Sequence, residues 1–249
     1  MRYFHLEKIP NAGSPAVVTG SEARHMSQSL RLKTGDVIGL YDGSGRKGRA
    51  RIAGFSEGRV RVEITEVSVA PESFVQITAA LGILKGKKMD RVIRSLAELG
   101  VFRAAPFFSR RSARVPVKGR MESKKERWEK IAREAMKQSR GGRMMEIGPP
   151  GDFQGALDAG RTCDLKLIFW EEEKTGLGQA LEAAFPQAPP RPRTVMVMLG
   201  PEGGFEKDEA DMARRKGFVP ASLGPRILKA ETAAIAACVL AQHLFGDMG

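Results

Sequence analysis

The rhythm of apolar and polar residues changes near residue 71. Before it, apolar positions alternate with polar ones in short runs, Val37–Tyr41, Arg49–Phe55 and Arg59–Val69, separated by glycine-rich turns. A period of two sends successive side chains to opposite faces, so these runs predict half-buried strands. The segment Ser21–Asp36 reads as helical in its first part, with Ser21 as N-cap. Residues 1–71 are thus expected to form a small β-barrel domain.

Beyond Pro71–Ser73 apolar strands alternate with amphipathic segments. Phe74–Leu84 and Val101–Phe108 predict strands, and between them Met89, Val92, Ile93 and Leu96 recur at helical spacing in Lys88–Leu99. Ser123–Gln138 predicts a helix that buries Trp128, Ile131, Ala135 and Met136. Strand Leu165–Trp170, helix Leu177–Phe185 and a proline-rich loop, Pro186–Pro192, come next. Strand Thr194–Leu199, helix Lys207–Lys216, strand Phe218–Leu223 and a helix over Glu231–Phe245 complete the chain. Such alternation implies a parallel sheet covered on both faces, an α/β domain over 74–249.

Charge changes this picture. The net charge is +12, and residues 85–143 carry 19 Lys/Arg against 6 Asp/Glu, whereas residues 144–249 are net negative. A basic excess so concentrated, much of it arginine, points to a polyanion, and nucleic acid is favoured over a membrane surface. The first residues, MRYFHLEKIP, lack a signal's apolar stretch, and the most apolar run, Ala233–Leu240, is far short of a membrane span. Two distant cysteines and three histidines form no ligand cluster. The expectation is a cytoplasmic chain with no membrane partner and no metal.

The candidate chemistry lies in loops. Gly43, Gly45 and Gly48 spell G-x-G-x-x-G, but the following Ala50–Phe55 continues as a strand, so no helix N-terminus is available for a pyrophosphate and the segment is a hairpin turn. Ligands of parallel α/β sheets bind beyond the strands' carboxyl ends. Two loops lie there: LGPEGGF at Leu199–Phe205 and LGPRILKAETA at Leu223–Ala233. Glycines at 200, 203 and 204 permit positive φ and let a ligand touch backbone, although an ordinary β–α turn has the same composition. Ile227 and Leu228 must either pack in the core or fold over an apolar ligand or a chain crossing. Core packing does not account as readily for the charged Arg226, Lys229 and Glu231.

The two loops, in order and at this spacing, resemble the RsmE family of 16S ribosomal RNA uracil-N3 methyltransferases, within the SPOUT superfamily of S-adenosylmethionine-dependent enzymes. HMSQSLRLKTGDVIGLYDG, KGKKMDRVIRSLAELGV, FFSRRSARV and RWEKIAREAMKQSRGGR extend the resemblance over nearly the whole chain. Lys229 stands where the family often has arginine, and SRGGR carries one extra residue. The resemblance implies an N-terminal PUA-like RNA-binding barrel and a trefoil-knotted SPOUT domain that works as a homodimer on the small ribosomal subunit. It implies that backbone groups of Leu199, Gly200, Leu223 and Ile227 bind adenine and ribose, with Gly204, Gly224, Leu228, Thr232 and Ala233 lining the pocket. For the chemistry, either Glu231 or a water it orients takes the N3 proton while Arg226 or Lys229 steadies the developing charge, or Glu231 merely caps the last helix and pairs with Arg226. RNA contact is expected from Arg2, Arg24, Arg31 and Lys33 on the barrel, and from Lys87, Arg110, Arg111, Arg114 and Arg143 on the second domain. A SPOUT enzyme acting on another RNA position and a non-catalytic ribosome-assembly binder are the alternative readings.

Overall fold

The computed structural model describes residues 1–70, 73–112, 120–139, 141–187 and 191–248. It divides into two compact units, Met1–Glu72 with Met136–Met144, and Ser73–Ala135 with Met145–Gly249.

The first unit is built on a curled five-stranded sheet in the order β1-β3-β4-β5-β2, half of a barrel. Its strands are β1 (Tyr3–His5), β2 (Pro15–Thr19), β3 (Val37–Tyr41), β4 (Arg46–Ser56) and β5 (Arg59–Val69). The alternation in β5 buries Val60, Val62 and Ile64, which meet Ile52, Ile38, Leu40 and Phe4 in one apolar cluster. The glycines at 43 and 45 turn β3 into the antiparallel β4 with φ of +78° and +103°, a hairpin as expected. Helix α1 (Gly20–Arg24) follows β2 without a linker and continues as a π-turn over His25–Ser29. Its N-cap is therefore Thr19, not Ser21, because the strand itself runs into the first turn.

The second unit is a three-layer α/β/α arrangement. Its strands, all parallel, are β6 (Gln76–Gly82), β7 (Arg103–Phe108), β8 (Glu146–Ile147), β9 (Gly151–Asp152), β10 (Leu165–Phe169), β11 (Thr194–Leu199) and β12 (Val219–Ala221). The order is β12-β10-β11-β6-β7-β8, with β9 also on β7. The helices are α2 (Lys88–Glu98), α3 (Arg120–Ser139), α4 (Phe153–Ala159), α5 (Leu177–Ala184), α6 (Lys207–Arg215) and α7 (Ala230–Phe245). Strand alternation assigns each layer. Val195, Val197 and Leu199 of β11 join the cluster with α2, α3, α5 and α7, whereas Met196 and Met198 join the one with α4 and α6. In α3 the buried residues include Trp128, Ala132, Ala135 and Met136, at helical spacing, and Ile131 is only partly buried beside them. Phe74, expected to open the first strand, is 58% exposed and precedes it.

Candidate active site

Because the strands are parallel, the carboxyl ends of β10, β11 and β12 open on one edge of the sheet. A cavity of about 190 Å³ lies there. Its walls are the ends of three strands: Phe169–Glu171 after β10, Leu199–Glu202 and Gly204 after β11, and Ser222–Leu228 with Ala230 and Ala233 after β12. Eight of the nine residues expected to face a cofactor line it: Leu199, Gly200, Gly204, Leu223, Gly224, Ile227, Leu228 and Ala233. Thr232 does not, and is exposed. On a helix, residues three apart share a face, so α7 turns Ala230 and Ala233 inward and Thr232 away. Sequence reasoning missed the wall from β10. Its signal is present in the sequence, since every strand of a parallel sheet ends on the same edge and Leu165–Trp170 is an expected strand, observed as Leu165–Phe169.

The Leu199–Phe205 loop is held by contacts from three other strand ends. From β10, the Trp170 indole N–H donates to the Phe205 carbonyl (3.3 Å), and the Glu171 carboxylate lies against Gly204. Gly204 has φ of +68°, so both its backbone and its surroundings require the missing Cβ. From β6, the Lys85 N–H (3.1 Å) and Lys88 Nζ (3.0 Å) donate to Glu202 Oε1. Partial burial pushes the Glu202 carboxyl up, but these two donors outweigh it and hold it below the usual carboxylate range. From β7, Arg111 Nη1 donates to the Gly203 carbonyl (3.0 Å). Phe205 anchors the far end, fully buried and stacked on Phe107 at 6.3 Å.

The second loop is built differently. Gly224 has φ of +108°, and Ser222 Oγ lies 3.2 Å from both its N–H and its carbonyl. Ile227 is 93% exposed on this chain, so it is not a core residue, and Leu228 is half-buried. Arg226 lines the cavity; Lys229 is the N-cap of α7, and both are exposed. Glu231 therefore sits inside the first turn rather than at the cap. Among the described residues it forms no ion pair with Arg226, and its Oε2 is buried without a hydrogen-bond partner.

The expected RNA contacts separate into groups. Arg2, Arg24, Arg31 and Lys33 are exposed on the first unit, and Lys87 is exposed at the N-cap of α2. Arg143 is exposed but belongs to the first unit, not the second, because Met136–Met144 pack there through a bridge to Ser44. Arg110 and Arg111 are already engaged: Arg110 Nη1 meets Glu206 (3.1 Å) and Asp208 (3.3 Å), which push its guanidinium pKa up, and Arg111 holds Gly203. Arg114 lies outside the described residues. Among the described residues there is no group of three or more His, Cys, Asp and Glu able to hold a metal, and no helix is long and apolar enough to cross a membrane.

Comparison with known proteins agrees with this layout. Residues 71–242 match the model of an RNA methyltransferase domain, and residues 18–65 that of an RNA methyltransferase PUA domain. The ribosomal RNA small subunit methyltransferase E of Mesomycoplasma hyopneumoniae is 32% identical, covering 94% of this chain and 95% of its own. That of Bacillus subtilis is 28% identical, covering 93% and 92%. The crystal structure of the Neisseria gonorrhoeae ribosomal RNA small subunit methyltransferase E bound to S-adenosyl methionine superimposes with a TM-score of 0.87 at 29% identity, covering all of both chains. With the family model spanning most of its length and near full-length relatives on both sides of 30% identity, the chain belongs to the ribosomal RNA small subunit methyltransferase E family, the RsmE methyltransferases.

Proposed function

We propose that this chain methylates N3 of a uridine in the decoding region of 16S ribosomal RNA, in the cytoplasm, with S-adenosylmethionine as methyl donor. The observation that carries the reading is the meeting of both glycine-rich loops on one cavity beyond the sheet's carboxyl edge. The cavity fits such a cofactor. Its walls combine apolar side chains and glycine backbone with Glu171, Glu202, Ser222 and Arg226, a mixture suited to an uncharged purine beside a polar ribose and a charged tail, and a Cβ on Gly204 would strike the Glu171 carboxylate, so this wall keeps its shape only with glycine.

When bound, the cofactor supplies an electrophilic methyl group on a sulfonium. The chain's own part is to bind, orient and manage one proton. Backbone groups of Leu199, Gly200, Leu223 and Ile227 would take the adenosine, and Gly204, Gly224, Leu228 and Ala233 would enclose it; these eight line the cavity, whereas Thr232 is exposed and does not. N3 of uracil becomes a nucleophile as its proton leaves, so an acceptor is needed. Glu231 supports that role through its buried, unpartnered Oε2, a group that gains from meeting an N–H or a water. Exposed Arg226 and Lys229 precede it in sequence and would steady the negative charge spreading to the uracil oxygens.

We infer that the chain pairs with a second copy, since Ile227, Leu244 and Leu240 of the second unit are large apolar residues left open on one chain. The family's trefoil-knotted crossing is consistent with β11 lying between the earlier β6 and β10 while both flanking loops meet at one cavity. The test is to incubate the protein with S-adenosylmethionine and small ribosomal subunits, then digest the RNA and identify nucleosides by mass spectrometry. The expected product is N3-methyluridine. A different methylated nucleoside would move the site to another RNA position, and a protein that neither binds the cofactor nor methylates would be an assembly factor.

A further inference from the structure

Glu209 is 2% exposed, and among the described residues its carboxylate meets no cation: it accepts from two backbone amides. A buried carboxylate is costly unless its oxygens are satisfied, and here each oxygen serves a different loop. Oε2 accepts the Glu206 N–H (2.9 Å), closing a capping box at the start of α6, three residues after Gly203. Oε1 accepts the Arg110 N–H (3.0 Å), two residues beyond the end of β7. Strand β7 is not a neighbour of β11, since β6 lies between them, so no backbone ladder joins these two loops. Side chains do it instead. Arg110 Nη1 bonds Glu206 and Asp208, and Arg111 Nη1 bonds the Gly203 carbonyl. A Cβ built on Gly203 would come 2.9 Å from Arg111 Cβ, so the two segments are in close contact. Ser112 Oγ accepts the Ser109 N–H (2.9 Å) and closes the turn that presents both arginines.

We propose that Glu209 is a positioning residue for the cofactor pocket, acting with Arg110 and Arg111 to pin the Gly203–Phe205 end of the glycine loop to the loop after β7. Arg110 and Arg111 then serve cofactor affinity rather than RNA phosphates. The proposal deepens the reading of this loop as a cofactor wall and rests on it.

The test uses the full chain with Glu209→Gln and, separately, Arg111→Ala. Glutamine preserves the volume but turns an NH2 toward one of the two amide donors, so one of the two pins is lost. Hydrogen exchange reports local opening, and exchange at Gly203–Phe205 of the ligand-free protein is expected to accelerate in both variants. The Kd for S-adenosylmethionine is expected to rise about tenfold, the lower range for losing a hydrogen bond to a charged group. The KM for RNA, and kcat at saturating cofactor, should stay at wild-type values. If Glu209→Gln does not fold, Arg111→Ala, at an exposed position, carries the same readouts. Unchanged exchange and unchanged Kd in the variants would overturn the proposal, as would a rise in the KM for RNA with cofactor affinity intact. A wild-type protein that does not bind the cofactor would instead overturn the reading of the pocket, and exchange in the variants still decides whether the loops are pinned.

Discussion

The Glu171 carboxylate packs directly on the Cα of Gly204, so that the end of β10 and the glycine loop after β11 touch where a side chain would otherwise stand. Two independent requirements thus meet at one residue, a positive φ and the absence of a Cβ.

Gly204→Ala should therefore lose stability and cofactor binding together. An L-residue in the left-handed region costs about 1–2 kcal/mol, before Glu171 is displaced. For a chain of this size each kcal/mol lowers Tm by about 2–4 °C. Adding Glu171→Ala should recover the part due to overlap and leave the part due to φ. Thermal unfolding and cofactor titration of the single and double variants check this; full recovery would show that φ does not matter.

Glu231→Gln is expected to slow methyl transfer by about 10²–10⁴-fold, the usual contribution of a general base. Cofactor affinity and Tm should hold, because Oε2 has no partner among the described residues to lose. Single-turnover rates at saturating cofactor make the measurement. A variant with full turnover would return Glu231 to a helix-end role.

Glu202 gives a pH signature. Its carboxyl lies below its ordinary value, so it stabilises the fold above the unfolded pKa of about 4.3, and that stabilisation is lost as pH falls through the lower folded value. The stability gap between wild type and Glu202→Gln should be flat above about pH 5 and narrow on the acid side. Chemical denaturation across a pH series checks it, and a gap that widens in acid would contradict the assignment.

RNA binding should weaken steeply with salt. Each phosphate contact on a single strand contributes about 0.7 to the slope of log K against log salt. Arg31→Ala and Lys33→Ala are each expected to reduce that slope by about one such unit. Filter binding at several salt concentrations decides it; an unchanged slope would place RNA elsewhere.

The legible parts of the fold were those with a strong local period. Strands β5 and β11 were readable to their ends, because alternation and an unbroken apolar run each have few competing explanations. Strands β1 and β2 and helix α4 were missed: three to seven residues carry too little periodicity, and β1 exists only through its parallel pairing with β3. The glycine loops were legible as turns at strand ends, and the structure brings both to one cavity. The wall from β10 and the engagement of Arg110 and Arg111 were not, since pairing across 90 or more positions leaves no trace in spacing. The charge block drew both arginines toward RNA; their carboxylate and carbonyl partners are visible only in three dimensions.

Strand order also sets a timetable. β6 gains β7 as a neighbour soon after α2, but its other edge is reserved for β11, which comes from more than a hundred residues further along. Pairings of such separation form slowly, and until they form a strand edge stays open. During synthesis the cavity at the carboxyl edge of the sheet is accordingly among the last features to be completed, since β11, β12 and α7 all arrive in the final quarter. A nascent chain carries its RNA-facing unit long before it has anything with which to methylate, and the open flank of β6 is where a stalled or truncated chain would begin to aggregate.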